Sequence, residues 1–155
     1  MPVPTAEQIQ EYEATPEKIA AAIEGLHEGQ LQQRPASDDW SIREVLVHLG
    51  DSEIFVYERF RRILADDKPV LQAFNEEAWA KNLNYREQNP DLALNLFRAL
   101  RQSNAALLRS LPTQAWERTG RHTERGDMSL YDVFTTYLRH GNIHLEQIEQ
   151  VKKKL

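Results

Sequence analysis

Apolar residues recur along this chain at helical spacing in four long stretches, separated by polar segments rich in turn residues. The first covers about residues 5–29 and carries Ile9, Tyr12, Ile19, Ile23 and Leu26 three, four or seven positions apart. Pro16 falls inside it, so the helix either spans the proline or begins there, with Thr15 as N-cap and Pro16 in the first turn. The second opens on Ser41-Ile42-Arg43-Glu44, a capping box in which serine and glutamate satisfy each other's backbone N–H groups, with Trp40 placed to pack on Val45. Ile42, Val45, Leu46, Leu49, Val56, Phe60 and Ile63 or Leu64 continue one stripe until Asp66-Asp67-Lys68-Pro69 stops it. The third, about residues 91–111, presents Leu92, Leu96, Leu100 and Leu107, with Ala99 and Leu108 filling the face. The fourth opens on a second box, Ser129-Leu130-Tyr131-Asp132, with Met128 placed to pack on Val133. It runs to about Gln150 through Val133, Phe134, Tyr137, Leu138, His140, His144, Leu145 and Ile148.

This pattern predicts an all-α four-helix bundle forming one domain over residues 1–155. About eleven residues join the first two helices, which suits antiparallel neighbours. The other two connections are longer. Residues 71–83 read as a short helix on the way from the second long helix to the third. Residues 113–127 are polar, with Gly120 and Gly126 as turn signals, and read as a loop or a short hairpin.

Composition narrows the functional classes. At 155 residues, with 41% hydrophobic and 28% charged residues, the chain is long and apolar enough to bury a core. Its formal charge is −5, which disfavours a broad nucleic-acid surface; the Lys152-Lys153-Lys154 run follows a helix and reads as complementing its dipole or fraying in solvent. There is no cysteine, so disulfides, thiolate ligands and a cysteine nucleophile are excluded. Residues 1–13 lack the apolar segment of a signal peptide, and no apolar run approaches the ~20 residues of a membrane span. The expectation is a cytoplasmic protein with neither membrane nor nucleic-acid partner.

The candidate chemistry lies in the histidines. His140 and His144 stand four apart on the fourth helix, so one face offers two imidazoles to one ion, as the zincin helix does. The zincin glutamate is missing, because Gly141 follows His140, and an HxxxH pair alone is a weak signal. Register strengthens it. His48 sits at the edge of the stripe set by Val45 and Leu49, and imidazoles facing a core are costly unless bonded or ligated. At 1.5 Å per residue, His48 lies roughly 10 Å from the start of its helix, and the other two roughly 9–15 Å from the end of theirs. Running the second and fourth helices antiparallel therefore brings all three to one level, and the first and fourth then point the same way. His27 reads as a solvated helix-end cation and His122 as a loop residue near the mouth of the site.

The stretch Trp40-Ser41-Ile42-Arg43-Glu44-Val45-Leu46-Val47-His48-Leu49-Gly50-Asp51-Ser52 resembles the first metal motif of the DinB/YfiT-like superfamily. His140-Gly141-Asn142-Ile143-His144, followed by Gln147-Ile148, resembles the second. Weaker likenesses lie around Asp67-Lys68-Pro69, Glu77-Ala78-Trp79-Ala80 and Glu117-Arg118-Thr119 with His122. The resemblance implies a bundle in an unusual up-down-down-up order, often homodimeric, with one divalent metal on His48, His140 and His144; imidazole suits zinc or nickel foremost, and iron as well. It also implies a small-molecule substrate. Family members include thiol S-transferases that use a low-molecular-weight thiol such as bacillithiol or mycothiol, thiol-dependent isomerases and dechlorinases, and many proteins assigned as metal-dependent hydrolases.

A neutral three-histidine site leaves coordination positions open, so the ion could lower the pKa of a bound water or hold a substrate thiolate. Asp51, three residues past His48, is a candidate to orient its imidazole, as is Glu44 one turn before it. Trp79, Tyr85, Arg86, Trp116 and Arg121, on the long connections, either cap the bundle ends or supply stacking and anion contacts to a charged cosubstrate. The rival class is a non-catalytic, stress-related dimeric bundle with structural histidines.

Overall fold

The structure, a computed structural model, describes residues 2–155. Four long helices carry the four apolar stretches: α1 (Ala6–Ile23), α3 (Ile42–Ala65), α5 (Pro90–Arg109) and α6 (Leu130–Lys152). Two short helices, α2 (Glu28–Gln32) and α4 (Glu76–Asn82), lie in the first two connections. Both serine boxes form as their sequences dictate. Ser41 Oγ accepts from the Glu44 N–H, and Ser129 Oγ from the Asp132 N–H, while each acidic side chain returns a bond to its serine's backbone.

Two local expectations change. Helix α1 does not start at Pro16: Thr5 caps it with its own box, and the helix runs through the proline. Proline removes the N–H that would bond the Tyr12 carbonyl four residues back. The Arg101 guanidinium fills that gap, its Nη1 donating to Tyr12 O at 2.9 Å. The helix also ends earlier than its apolar spacing suggests, at Ile23, and α2 follows as a separate turn. On α5 the buried face is Leu94, Phe97, Arg101, Asn104, Ala105 and Leu108, whereas Leu92 and Leu96 are exposed. Two large polar residues belong to the core there, so the apolar pattern pointed to the wrong side.

Helix α1 packs on α5 and α6, and so does α3, which sets α1 diagonal to α3. Glu17 and Glu13 pair with Arg98 and Arg109, so α1 and α5 are antiparallel. Glu53 reaches Arg101 and Arg61 reaches Asn104, so α3 and α5 are parallel. Tyr12 packs on Phe134 and Thr15 lies against Gly141, so α1 and α6 are parallel. The order is up-down-down-up.

The segment read as a loop or hairpin is a hairpin. β2 (Thr119–His122) pairs antiparallel with β3 (Gly126–Ser129), and β1 (Val70–Leu71) joins β2 in parallel with Leu71 opposite His122. Gly126 takes φ +78° at the turn, where an L side chain would be strained. This small sheet, added to the bundle, holds the two long connections together over the α3–α6 groove. Arg118 ties it to the end of α3 through the carbonyls of Ile63 and Asp66.

Besides a small group of Val47, Ala80 and Tyr85, the apolar interior falls into two clusters. One gathers Tyr12, Phe60, Ile63, Trp116 and Phe134; the other gathers Ile19, Ile42, Leu46, Phe97 and Ile148. Between them lies a buried polar layer of Arg101, Glu53, Tyr12 and Asn104, at the level where the histidines face one another.

Candidate metal centre

The Ser41 box fixes where α3 begins, and His48 follows two turns later on the face toward α6. Its ring is fully buried and packs 5.1 Å from that of Trp40, the residue that precedes the cap. Antiparallel packing brings it against His140 and His144. The Nε2 atoms of His48 and His140 lie 3.1 Å apart, and those of His144 and His140 lie 3.0 Å apart. Among the described residues, these three form the group of possible metal ligands.

The donor set fits a metal ion. Imidazole nitrogens bound 2.0–2.1 Å from one tetrahedral ion stand about 3.3 Å apart, close to the separations seen. Hydrogen bonding satisfies the cluster poorly. His144 Nδ1 faces Gln147 Oε1 at 2.7 Å, an acceptor, so Nδ1 carries the proton and Nε2 turns its lone pair inward. One N–H on His140 cannot serve both neighbours well, and His48 Nδ1 has no partner at all. A cation at the centre would use all three lone pairs.

Electrostatics point the same way. Burial, and then the His144 charge, push the His48 imidazole down to about 3. Burial, His144, His48 and the Arg101 guanidinium push His140 down to about 2. Burial also lowers His144, opposed by its bond to Gln147. All three are therefore neutral, the ligating form, at physiological pH.

These shifts carry a stability prediction for the metal-free protein. The unfolded chain takes up protons on these imidazoles near pH 6.5, whereas the folded chain does so only far lower, so acid favours unfolding. The urea midpoint is expected to fall steadily from just below pH 6.5 toward pH 3, and His140→Ala is expected to flatten the slope. Equal slopes for the two metal-free proteins would refute the coupling.

Other candidates are placed differently. Asp51 does not touch His48; its carboxylate accepts from the Tyr85 hydroxyl at 2.7 Å. Glu44 is held by Arg34 and Ser41. His27 is the N-cap of α2, its Nδ1 accepting from the Gln30 N–H. Trp116 packs in the core on Phe134, while Trp79 joins Phe55 and Phe74 in an aromatic group. Arg86 contributes only its carbonyl, to Arg43, and Arg121 is exposed on β2.

Three neighbours of the site carried a signal that hydrophobic spacing hides. Tyr137, three residues before His140, packs edge-on against that ring at 5.4 Å. Gln147, three residues after His144, holds its Nδ1. Arg59 stands eleven residues past His48, close to three full helical turns, and donates to the Tyr137 hydroxyl at 2.5 Å.

Gly141, which stands where a zincin has its glutamate, has a different use. A Cβ there would come within 3.0–3.2 Å of the Arg101 guanidinium. Its absence lets Arg101 Nη2 donate to the Tyr137 carbonyl at 2.9 Å.

Comparison with known proteins adds the family context. The family model of the DinB superfamily matches residues 11–148. A protein of Oceanobacillus iheyensis, provisionally named a metal-dependent hydrolase, is 31% identical over 148 residues, covering 96% of this chain and 86% of that one. YfiT of Bacillus subtilis, with a similar provisional name, is 28% identical over 148 residues, covering 95% and 83% of the two chains. Its solved structure, described as an unusual four-helix bundle topology, superposes with a TM-score of 0.90 at 26% identity, covering 99% of this chain and 91% of that one. A mycothiol-dependent maleylpyruvate isomerase shares the fold at a TM-score of 0.73 and 12% identity, covering 94% of this chain and 61% of that one.

Proposed function

This chain belongs to the DinB superfamily, and on that premise we propose that it is a cytoplasmic enzyme that uses one divalent ion, held by His48, His140 and His144, to transfer a small-molecule thiol to an electrophile. The convergence of three neutral imidazoles on one point carries the reading. Zinc and nickel both suit an all-imidazole site. When bound, such an ion is a Lewis acid that favours the deprotonated form of a thiol or water and polarises an electrophile.

The surroundings favour thiol transfer over hydrolysis. Single-ion hydrolysis commonly enlists a carboxylate as general base, as in the zincin helix. Here the hydrogen-bond partner of the triad is the neutral Gln147, and Asp51, Glu44 and Glu53 are engaged elsewhere. A thiol needs only to lose its proton. Hydrolysis is the second reading, supported by the provisional names of the relatives. The Tyr137 hydroxyl, kept protonated by burial despite Arg59, stands beside His140 as a hydrogen-bond donor to substrate.

The test is an assay of metal-loaded protein with low-molecular-weight thiols and a chloro-dinitroarene, alongside ester and amide substrates. Conjugation that disappears on chelation and in His48→Ala is the expected result. Metal-dependent hydrolysis without thiol would replace this reading by the second, and inactivity over the whole panel would favour a non-catalytic bundle.

A further inference from the structure

Beside the metal centre, a cavity of ≈ 90 Å³ opens between the α3–α6 groove and the hairpin, with Arg59, Phe74, His122, Arg125 and Tyr137 in its wall. Tyr137 is common to both places, since its ring packs on His140. We propose that this cavity is an oxyanion subsite, in which Arg59 and His122 hold an anionic group of the substrate while its reacting centre lies at the histidines.

The first argument is a buried charge without a counter-ion. Three arginines are buried among the described residues: Arg43, Arg59 and Arg101. Arg101 pairs with Glu53 and Arg43 with Glu28. Arg59, 5% exposed, has only neutral acceptors, the Tyr137 hydroxyl at 2.5 Å and the Gln72 carbonyl at 2.7 Å, and its Nε–H has no partner. Burying a cation this way is costly unless an anion completes its surroundings. Nε of Arg43 is unpartnered too, but that guanidinium already has a carboxylate.

The second argument comes from the hairpin. His122 Nδ1 accepts from the backbone N–H groups of Glu124 and Arg125, at 3.1 and 3.2 Å, so the neutral ring carries its proton on Nε2. Burial and the two arginines hold the imidazole below its usual range, which keeps it in that form. The β2–β3 turn thus presents a fixed N–H donor in the wall that Arg59 also forms. Glu76 and Glu124 border the cavity as well, but both are exposed to solvent, and the exposed Arg125 acts electrostatically on Glu76. The uncompensated positive charge is at the inner wall.

Spacing gives the substrate its shape. Tyr137 precedes His140 by three residues, about 4.5 Å along the helix, so the anionic group sits within roughly 10 Å of the metal position. Phe55, Phe74 and Trp79 form an aromatic wall nearby, with Phe55 also under the Arg59 guanidinium. A compact organic acid or phosphate ester with its electrophilic carbon one short spacer from the anion fits this layout.

The inference rests on reading the histidines as the reacting site, but its test does not need the metal. Metal-free protein, dialysed clear of chelator, is titrated separately with acetate and with inorganic phosphate at constant ionic strength, following the backbone amide resonances of Glu124 and Arg125, which bond His122 and are present in every variant. A saturable shift with one or both ions, absent with chloride, is expected, and the stronger ion identifies the group as carboxylate or phosphate. Arg59→Met is expected to weaken binding about tenfold to a hundredfold. Should that variant fail to fold, the exposed Arg125→Gln is expected to weaken it about two- to threefold. No saturable shift with either ion, or unchanged binding in a folded Arg59→Met protein, would overturn the subsite. Loss of catalysis with anion binding intact would instead count against the thiol-transfer reading alone.

Discussion

Replacing His144 by alanine is expected to remove the metal and the activity while leaving the bundle folded. The loss of metal follows from the ligand count. Removing an outer partner of a bound histidine typically costs 10–100-fold in affinity, and removing one of three ligands costs more. The survival of the fold follows from where stability resides. Each of the two large apolar clusters is built from all four long helices, and neither depends on the imidazoles. A buried neutral histidine with imperfect partners adds little to the metal-free protein, and alanine is the better helix former. Metal content by elemental analysis is therefore expected to fall from about one ion per chain to near zero, with the helical circular dichroism unchanged. Complete loss of helical signal would show instead that the ion is structural, as it is in a zinc finger.

What the sequence made legible was whatever depends on local grammar. Two serine boxes announced the starts of α3 and α6; the start of α3 set the level of His48, and the expected end of α6 near Gln150 set that of His140 and His144. Antiparallel packing then had one solution, so the triad and the helix order could be read together. Contacts between distant segments left no such trace. Strand β1 pairs Leu71 with His122, about fifty positions away, and nothing periodic marks two residues as a strand. Pro16 left open whether α1 begins there or runs through it, and the carbonyl that the proline frees is bonded by a side chain from distant α5. The face of α5 was misread because Arg101 and Asn104 are core residues, while Leu92 and Leu96 make an exposed apolar strip. Arg59 was hidden for the same reason, since a charged residue on an amphipathic helix is normally assigned to the solvent side.

Arg101 supports the second large expectation: Arg101→Met is expected to destabilise the protein by about 3–5 kcal/mol, the typical cost of breaking a buried pair by removing one partner. The guanidinium is completely buried and joins all four long helices. From α5 it donates to Glu53 on α3 at 2.9 Å, to the Tyr12 carbonyl on α1 at 2.9 Å and to the Tyr137 carbonyl on α6 at 2.9 Å. It also lies over the ring of Tyr12, 4.0 Å from its centroid. Methionine fills comparable volume without donors. It would leave the Glu53 carboxylate, 1% exposed, with only the Tyr12 hydroxyl and Asn104, and the Tyr12 carbonyl unbonded at the proline. Neutralising both partners gives the control. Removing both charges, in Arg101→Met with Glu53→Gln, is expected to recover part of the loss, because no unpaired ion remains buried. Urea unfolding of the two single variants and the double variant measures this coupling. Losses that simply add would mean that the ion pair is incidental and that Arg101 acts through its carbonyl contacts alone.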